Sequence, residues 1–301
     1  MLKVRTLHAD FTVEGWEPAM PTYLYHYEDE DTSLHHSSHF VEKMHGFMDM
    51  HAHDDYELFF FLQGDCSYLV EGVTYRLVPG SILLMRPAEA HCLCINSDCI
   101  YERIVLNFSR SFLEVIDPQG LLLEQYLDRP LGEGNLYAPH DYSSTVASLL
   151  LNMVDSEKER SDYEKRLAIV SNLLPILSEL RTSFQHKKAS AVSSEPGHHE
   201  LLNYINSHLS EDLSLETLSN VFFLSKSQIS RRFKQQTGTT ITNYVSAKRL
   251  IKARELLLSG MPAQQVSTTC GFSEYSTFYR AYQKKYGVAP VRSFKSQAEN
   301  A

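Results

Sequence analysis

Long apolar runs are missing from this sequence: the longest stretches, such as 58–62, fall far short of the ~18–20 residues a membrane-spanning helix needs. Met1, Leu2 and Lys3 are not followed by an apolar secretory segment either, so the expectation is a cytoplasmic protein with no membrane partner. Cysteine is scarce, five in 301 residues with no C-x-x-C pair, which argues against a disulfide framework and points to reduced thiols. Positive charge is short overall, leaving a formal net charge of −9. Spread evenly, that deficit would argue against a polyanionic partner. It is not spread evenly. Residues 1–195 hold 15 Lys and Arg against 30 Asp and Glu, whereas residues 196–301 hold 13 against 7. An acidic front and a basic rear imply two modules with different partners, the rear one suited to nucleic acid. With 43% hydrophobic residues, each module has material for its own core, and disorder is excluded.

The stretch 187–197, KKASAVSSEPG, is small and without periodicity, and a linker is placed over 184–197. The front domain is then 1–183, with strands over about 1–108 and helices over about 143–183, and the rear domain is 198–301. Between 2 and 108, short runs rich in Val, Ile, Phe and Tyr alternate with turn pairs at Gly64-Asp65, Glu71-Gly72 and Pro79-Gly80, the pattern of an antiparallel sandwich or barrel. After it, Val146, Leu149, Leu150 and Met153, then Leu167, Val170, Leu174 and Leu177, recur at helical spacing, with Pro175 expected to kink or interrupt the second helix. This helical pair packs on the sheet or forms a dimer seam.

His51, His53 and Glu57 stand at even separations, so in one strand they share a face that a neighbouring strand bearing His91 can meet. Three imidazoles and a carboxylate suit a divalent ion such as Zn, Ni, Fe or Mn, or a bound effector. The plain alternative is histidines satisfied within the core. His35, His36, His39 and His45 are read as loop residues near this site, and Cys92 and Cys94 as small packing residues on the opposite face from His91. The spacing from Gly46 through His51, His53, Glu57 and Gly64, then Gly80, Pro87, Glu89 and His91, resembles the two motifs of the cupin barrel over about 46 residues. It departs by one residue in the first spacing and by Glu89 where Gly is usual. The resemblance implies a closed antiparallel barrel.

The rear module reads more sharply. A short amphipathic helix covers 201–209, Ser214 caps one running to about Val221, and Ser225 caps another from Lys226 to about Thr237, which Gly238 ends. Two short helices across a tight turn form a helix-turn-helix at about 215–237. A shift of 49 residues superposes Ser227, Ile229, Arg231, Phe233 and Gly238 on Ser276, Phe278, Arg280, Tyr282 and Gly287, giving a second at about 262–286. Between them 242–258 reads as a linker helix, with Lys248, Arg249, Lys252 and Arg254 expected on its open surface. Such a rod is about 25 Å long, enough to hold two reading helices roughly one DNA turn apart.

Across 201–294 the chain resembles the AraC family of bacterial transcription regulators. The resemblance is carried by Leu224-Ser225, by Ser230 through Lys234 with Gly238, by Tyr244, Arg249-Leu250, Ala253 and Leu256-Leu257, and by Gly271 through Arg280 with Gly287 and Pro290. Departures are Ser219 and Ser267 in place of the usual alanine and Phe294-Lys295 in place of Tyr-Arg. By this similarity Ser227, Ser230 and Arg231 face bases from the first reading helix, and Tyr275, Ser276, Tyr279 and Arg280 from the second. Arg231 and Arg280 are the guanine readers, since a guanidinium bonds O6 and N7 together. Lys226, Arg232, Lys234, Lys284 and Lys285 are placed for phosphate, the plain alternative being that such charges merely solvate a helix face.

The expected architecture is therefore α+β in two domains: a cupin-like barrel with flanking helices, and an all-α domain with two helix-turn-helix motifs joined by a linker helix. The implied function is a sequence-specific regulator of transcription, an activator, responding to a small-molecule effector such as a sugar. Its partners would be double-stranded promoter DNA, RNA polymerase and a second copy of the chain in a homodimer. The alternative is a metal-dependent cupin enzyme with a DNA-binding tether, and the reading taken is that of a non-enzyme.

Overall fold

The computed structural model describes residues 23–44, 48, 50–155, 160–190 and 200–290; His45, Gly46, Phe294 and Lys295, named above, lie outside them. The described residues of the front module contain nine strands: β1 (Tyr23–Glu28), β2 (Thr32–Val41), β3 (Tyr56–Gln63), β4 (Cys66–Val70), β5 (Val73–Arg76), β6 (Ile82–Met85), β7 (His91–Ile95), β8 (Cys99–Phe108) and β9 (Leu136–Tyr137). They form two separate antiparallel sheets. The larger runs β1-β2-β8-β3-β6-β9 and the smaller β5-β4-β7; along the outer side of β7 the Met44, Met48 and His51 amides donate to the Ile95, Leu93 and His91 carbonyls. The closed, cupin-like barrel implied by the histidine spacing is not what is found: among the described residues no ladder joins the sheets into a ring, and they form a two-sheet sandwich.

The larger sheet is buried on both faces. Phe59, Phe61, Leu83, Met85, Tyr101 and Val105 pack against Cys66, Tyr68, Val70 and Ile95 of the smaller sheet. Tyr56, Leu58, Phe60, Leu84, Ile104 and Leu106 turn the other way, onto helices. Those helices are α1 (Arg110–Glu114), α2 (Glu124–Leu127), α3 (Ser144–Met153) and α4 (Asp162–Ser190). Covering both faces explains why β3 reads YELFFFLQ without a polar alternation. α4 passes through Pro175 without ending and continues to Ser190, so the first half of the stretch read as linker, 184–190, is helical. His35, His36 and His39 belong to β2, not to loops, since β2 pairs with β8 over its whole length.

The connection between β6 and β7 holds a buried ion pair. Glu89 accepts from Arg129 Nη1 and Nη2, both at 2.7 Å, from the Gly132 amide at 2.9 Å and from Asn135 Nδ2 at 2.9 Å. This is why a carboxylate is tolerated there: every lone pair it brings inside has a donor.

The carboxy-terminal module is helical: α5 (Glu200–Ser207), α6 (Leu215–Phe222), α7 (Lys226–Thr237), α8 (Ile241–Leu258), α9 (Ala263–Thr269) and α10 (Tyr275–Tyr286). Two apolar cores flank α8. One gathers Leu202, Ile205, Leu218, Ile229, Phe233, Tyr244 and Val245. The other gathers Leu250, Ala253, Leu257, Val266, Phe272, Phe278 and Tyr282. The rod is shared, so its apolar residues point several ways. Gly271 ties the two units: it sits at φ +81°, and a Cβ there would lie 2.8 Å from the backbone of Leu209 and Ser210.

Candidate functional site

The caps expected from the sequence position both reading helices. Ser214 accepts from the Thr217 amide at the head of α6. Ser225 and Gln228 form a reciprocal capping box at the head of α7, and Gly238 ends it in the left-handed conformation. Gly287 ends α10 in the same way. Replacing Ser225 with Ala should therefore cost about 1 kcal/mol of stability, read as a lower urea midpoint for the helical module. On α7, Ile229 and Phe233 are buried while Lys226, Ser227, Ser230, Arg231, Arg232 and Lys234 are exposed. On α10, Phe278 and Tyr282 are buried, Ser276, Arg280 and Lys284 are exposed, and Tyr275 and Tyr279 are half-buried. Lys226 reaches Glu216 at 3.1 Å on the surface.

Lys285 is placed elsewhere. Its Nζ donates to the Ala52 carbonyl of the amino-terminal module at 3.1 Å, and burial lowers its pKa. The linker-helix cations also depart from expectation. Lys248 is buried against Glu71, Arg249 donates to the Leu209 and Glu211 carbonyls at 2.7 and 2.6 Å, and Arg254 pairs with Asp54 at 2.5 Å. Of the four, Lys252 is the exposed one, beside Glu255 at 2.9 Å.

In the amino-terminal module, His53, Glu57 and His91 bring one ligand atom each to within 4.8 Å of one another. His51 does not join them. It is exposed, with its ring centroid 4.4 Å from that of His91. The parity argument fails because β3 begins only at Tyr56, so His51 and His53 are not on one strand with Glu57.

The hydrogen bonds fix the protons. His53 Nδ1 faces the Asp55 carbonyl at 2.9 Å and His91 Nδ1 faces the Glu89 carbonyl at 2.8 Å; a carbonyl only accepts, so both Nδ1 atoms carry hydrogen. In neutral rings both Nε2 atoms are then lone pairs, aimed at Glu57 Oε2 from 2.8 and 3.6 Å. Three acceptors converge without a donor, and His91 Nε2 is a buried atom without a hydrogen-bond partner. A proton on His53 relieves one contact. A divalent cation relieves all three, and imidazoles oriented through Nδ1 onto carbonyls are how metal-binding histidines are held. The pKa directions agree: burial opposes the His53 imidazolium, but the Glu57 hydrogen bond and charge outweigh it and the pKa is raised. Burial would raise Glu57, yet His53 and His91 bring it down to about 2.

A second polar set was not legible in the sequence. Ser37 pairs with Arg103 and His39 with Tyr101 across β2 and β8, so all four side chains share the face turned to the smaller sheet. Ser37 Oγ, His39 Nδ1, Tyr101 OH and Arg103 Nη1 are buried there without hydrogen-bond partners, the guanidinium lying 4.8 Å from the Tyr101 ring centre. Only the strand pairing assembles them. Among the described residues, no helix is long and apolar enough to cross a membrane.

Two families match the chain: the description "AraC-like ligand binding domain" covers residues 39–114, and "Helix-turn-helix domain" covers 218–296. A "Probable transcriptional regulator LumQ" from Photobacterium leiognathi is 29% identical over 244 residues, spanning 80% of this chain and 90% of its own. An "HTH-type transcriptional activator RhaS" from Escherichia coli is 25% identical over 243 residues, spanning 80% and 85%. Among solved structures, the C-terminal domain of AraT, a response regulator from Geobacillus stearothermophilus, is 31% identical over 31% of this chain and 79% of its own, with a TM-score of 0.30.

Proposed function

We propose that this chain is a transcriptional regulator of the AraC type and not an enzyme, and that it grips promoter DNA through two successive major grooves and activates transcription when a small molecule binds its front module. The two matching descriptions, a ligand-binding domain and a helix-turn-helix domain, favour this reading over that of an enzyme with a DNA-binding tether. The observation that carries the reading is the pair of capped helices, α7 and α10, with Ser227, Ser230, Arg231, Ser276 and Arg280 exposed, on either side of an 18-residue rod. At 1.5 Å per residue the rod is about 27 Å long, near the spacing of neighbouring major-groove openings. Arg231 and Arg280 read guanine, Ser227, Ser230, Tyr275, Ser276 and Tyr279 complete the base contacts, and Lys226, Arg232, Lys234 and Lys284 hold phosphates. The front module is 1–183, the linker 184–197 and the rear module 198–301 in this reading, with RNA polymerase and a second copy of the chain as further partners.

The effector is a small molecule rich in hydroxyl or carboxylate oxygens, a sugar or sugar acid, because Ser37, His39, Tyr101 and Arg103 gather polar groups on one face inside the sandwich, Ser37 Oγ and His39 Nδ1 among them without a hydrogen-bond partner. His53, Glu57 and His91 hold a divalent cation, with Zn, Ni, Fe and Mn as the candidates for an imidazole and carboxylate set. Thermal-shift screening against sugars, sugar acids and these ions tests both sites, since a ligand of the native state raises the melting temperature. His53→Ala should lower cation affinity by about tenfold or more, at least as much as losing a supporting group around a metal, and leave non-specific DNA affinity unchanged. Equal calorimetric cation affinity in the variant would show that these histidines only pack. Selection of duplexes from a random pool followed by footprinting tests the DNA reading; recovery of no preferred sequence would refute it.

A further inference from the structure

We infer that a divalent cation on His53, Glu57 and His91 controls how firmly the second helix-turn-helix unit is clamped to the amino-terminal module, an inference that rests on the cation reading above. Both segments that carry the ligands also carry the docking contacts. On the first, Ala52 and Asp54 flank His53. The Ala52 carbonyl accepts from Lys285 at 3.1 Å, and the Asp54 carboxylate accepts from Arg254 at 2.5 Å and from the Tyr286 hydroxyl at 3.1 Å. On the second, Ala90 precedes His91, and its amide donates to Glu71 Oε1 at 2.6 Å. The same Glu71 carboxylate receives the Lys248 ammonium and the Tyr244 hydroxyl. His51 and His91 exchange both backbone hydrogen bonds, at 3.0 and 2.9 Å, so the two segments move together. Ala52 and Ala90 are buried in one apolar cluster with Leu201, Tyr244, Val245 and Ile251 of the helical module.

Glu71 shows how closely this seam is fitted. It sits in the two-residue turn between β4 and β5 at φ +47°, an unfavourable conformation for a residue with a Cβ, and it is buried together with Lys248. A partial parting would leave two uncompensated buried charges, whereas full opening gives both to water, so the seam is either closed or open, with little between. The docking side chains of the rear unit lie on α8 and on the last turn of α10. A closed seam therefore fixes the second reading helix against the sandwich.

A cation draws the three acceptors together and holds residues 52–57 in the docked geometry; without it their mutual repulsion loosens the segment on which Arg254, Lys285 and Tyr286 rest. Linkage then runs both ways, and weakening the dock must weaken cation binding. The test is calorimetric titration of the full chain with Zn, Ni or Mn ions alone, comparing the unaltered protein with Arg254→Gln and Tyr286→Phe. Neither residue contacts the ligand atoms, and the cation affinity is expected to fall about fivefold or more in each. For Arg254→Gln the sign is decisive, because removing a nearby positive charge would by electrostatics alone tighten a cation. Should that variant fail to fold, Tyr286→Phe, which loses a single hydroxyl, carries the test. Cation binding that is unchanged or tighter in the variants would overturn this inference and leave the cation site standing. No cation binding by the unaltered chain would overturn both.

Discussion

A chain with Arg231 and Arg280 both replaced by alanine should bind its specific duplex about 2–6 kcal/mol more weakly at fixed salt, with each single variant supplying about 1–3 kcal/mol. Both side chains are exposed on capped helices whose inward faces, Ile229 and Phe233 or Phe278 and Tyr282, pack into different cores. Truncating them leaves the helices intact, and the two losses should add because the sites share no partner. Fluorescence anisotropy with the selected duplex and with random duplex separates the effects: affinity for random sequence should change far less. Lys234→Ala should instead weaken binding to both duplexes and lower the salt slope by about one ion. A double variant that keeps its sequence preference would remove these arginines from the set of base readers.

Replacing Arg129 with Met should destabilise the sandwich by about 3–5 kcal/mol, because it strands the Glu89 carboxylate among groups that cannot all compensate it. In the unaltered chain burial by itself would raise the Glu89 carboxyl, but the Arg129 guanidinium and the surrounding amides bring it below its ordinary range. Its contribution is therefore present above the ordinary carboxylate pKa and is lost as pH falls through the lower, folded value. In the variant the order reverses: burial dominates, the folded pKa lies above the unfolded one, and protonation removes a stranded charge. The deficit should accordingly shrink on mild acidification. Urea midpoints at neutral and mildly acid pH check both claims, and a variant as stable as the original would show that Arg129 and Glu89 contribute no net stabilisation.

What could be read from the sequence was local. Ser225, the 3.6-residue spacing of Ile229 and Phe233, and Gly238 specify α7, and Lys226–Thr237 is where it lies. The same holds for Ser214 at α6 and for Gly287 at α10. What misled was long-range. The histidine spacing suggested a ring of strands, but closure depends on which edges pair, and no residue pattern within one strand records that. Residues 52–55 leave the strand to meet Lys285 and Arg254, which breaks the parity that would have brought His51 beside His53. Lys248 and Arg254 read as a solvated face because a lone cation on a helix carries no mark of the carboxylate that will cover it. Glu71 and Asp54, their partners, lie 177 and 200 residues away. The four polar groups between the sheets were hidden for the same reason: Ser37 and Arg103 meet only through the register of β2 and β8.

The most direct test of two linked reading helices is hydroxyl-radical and methylation footprinting of the full chain on its selected duplex. Two protected major-groove windows centred about one helical turn apart are expected, with the window facing α10 lost in Arg280→Ala while the one facing α7 remains. Protection of one window, unaltered by either Arg231→Ala or Arg280→Ala, would contradict the account.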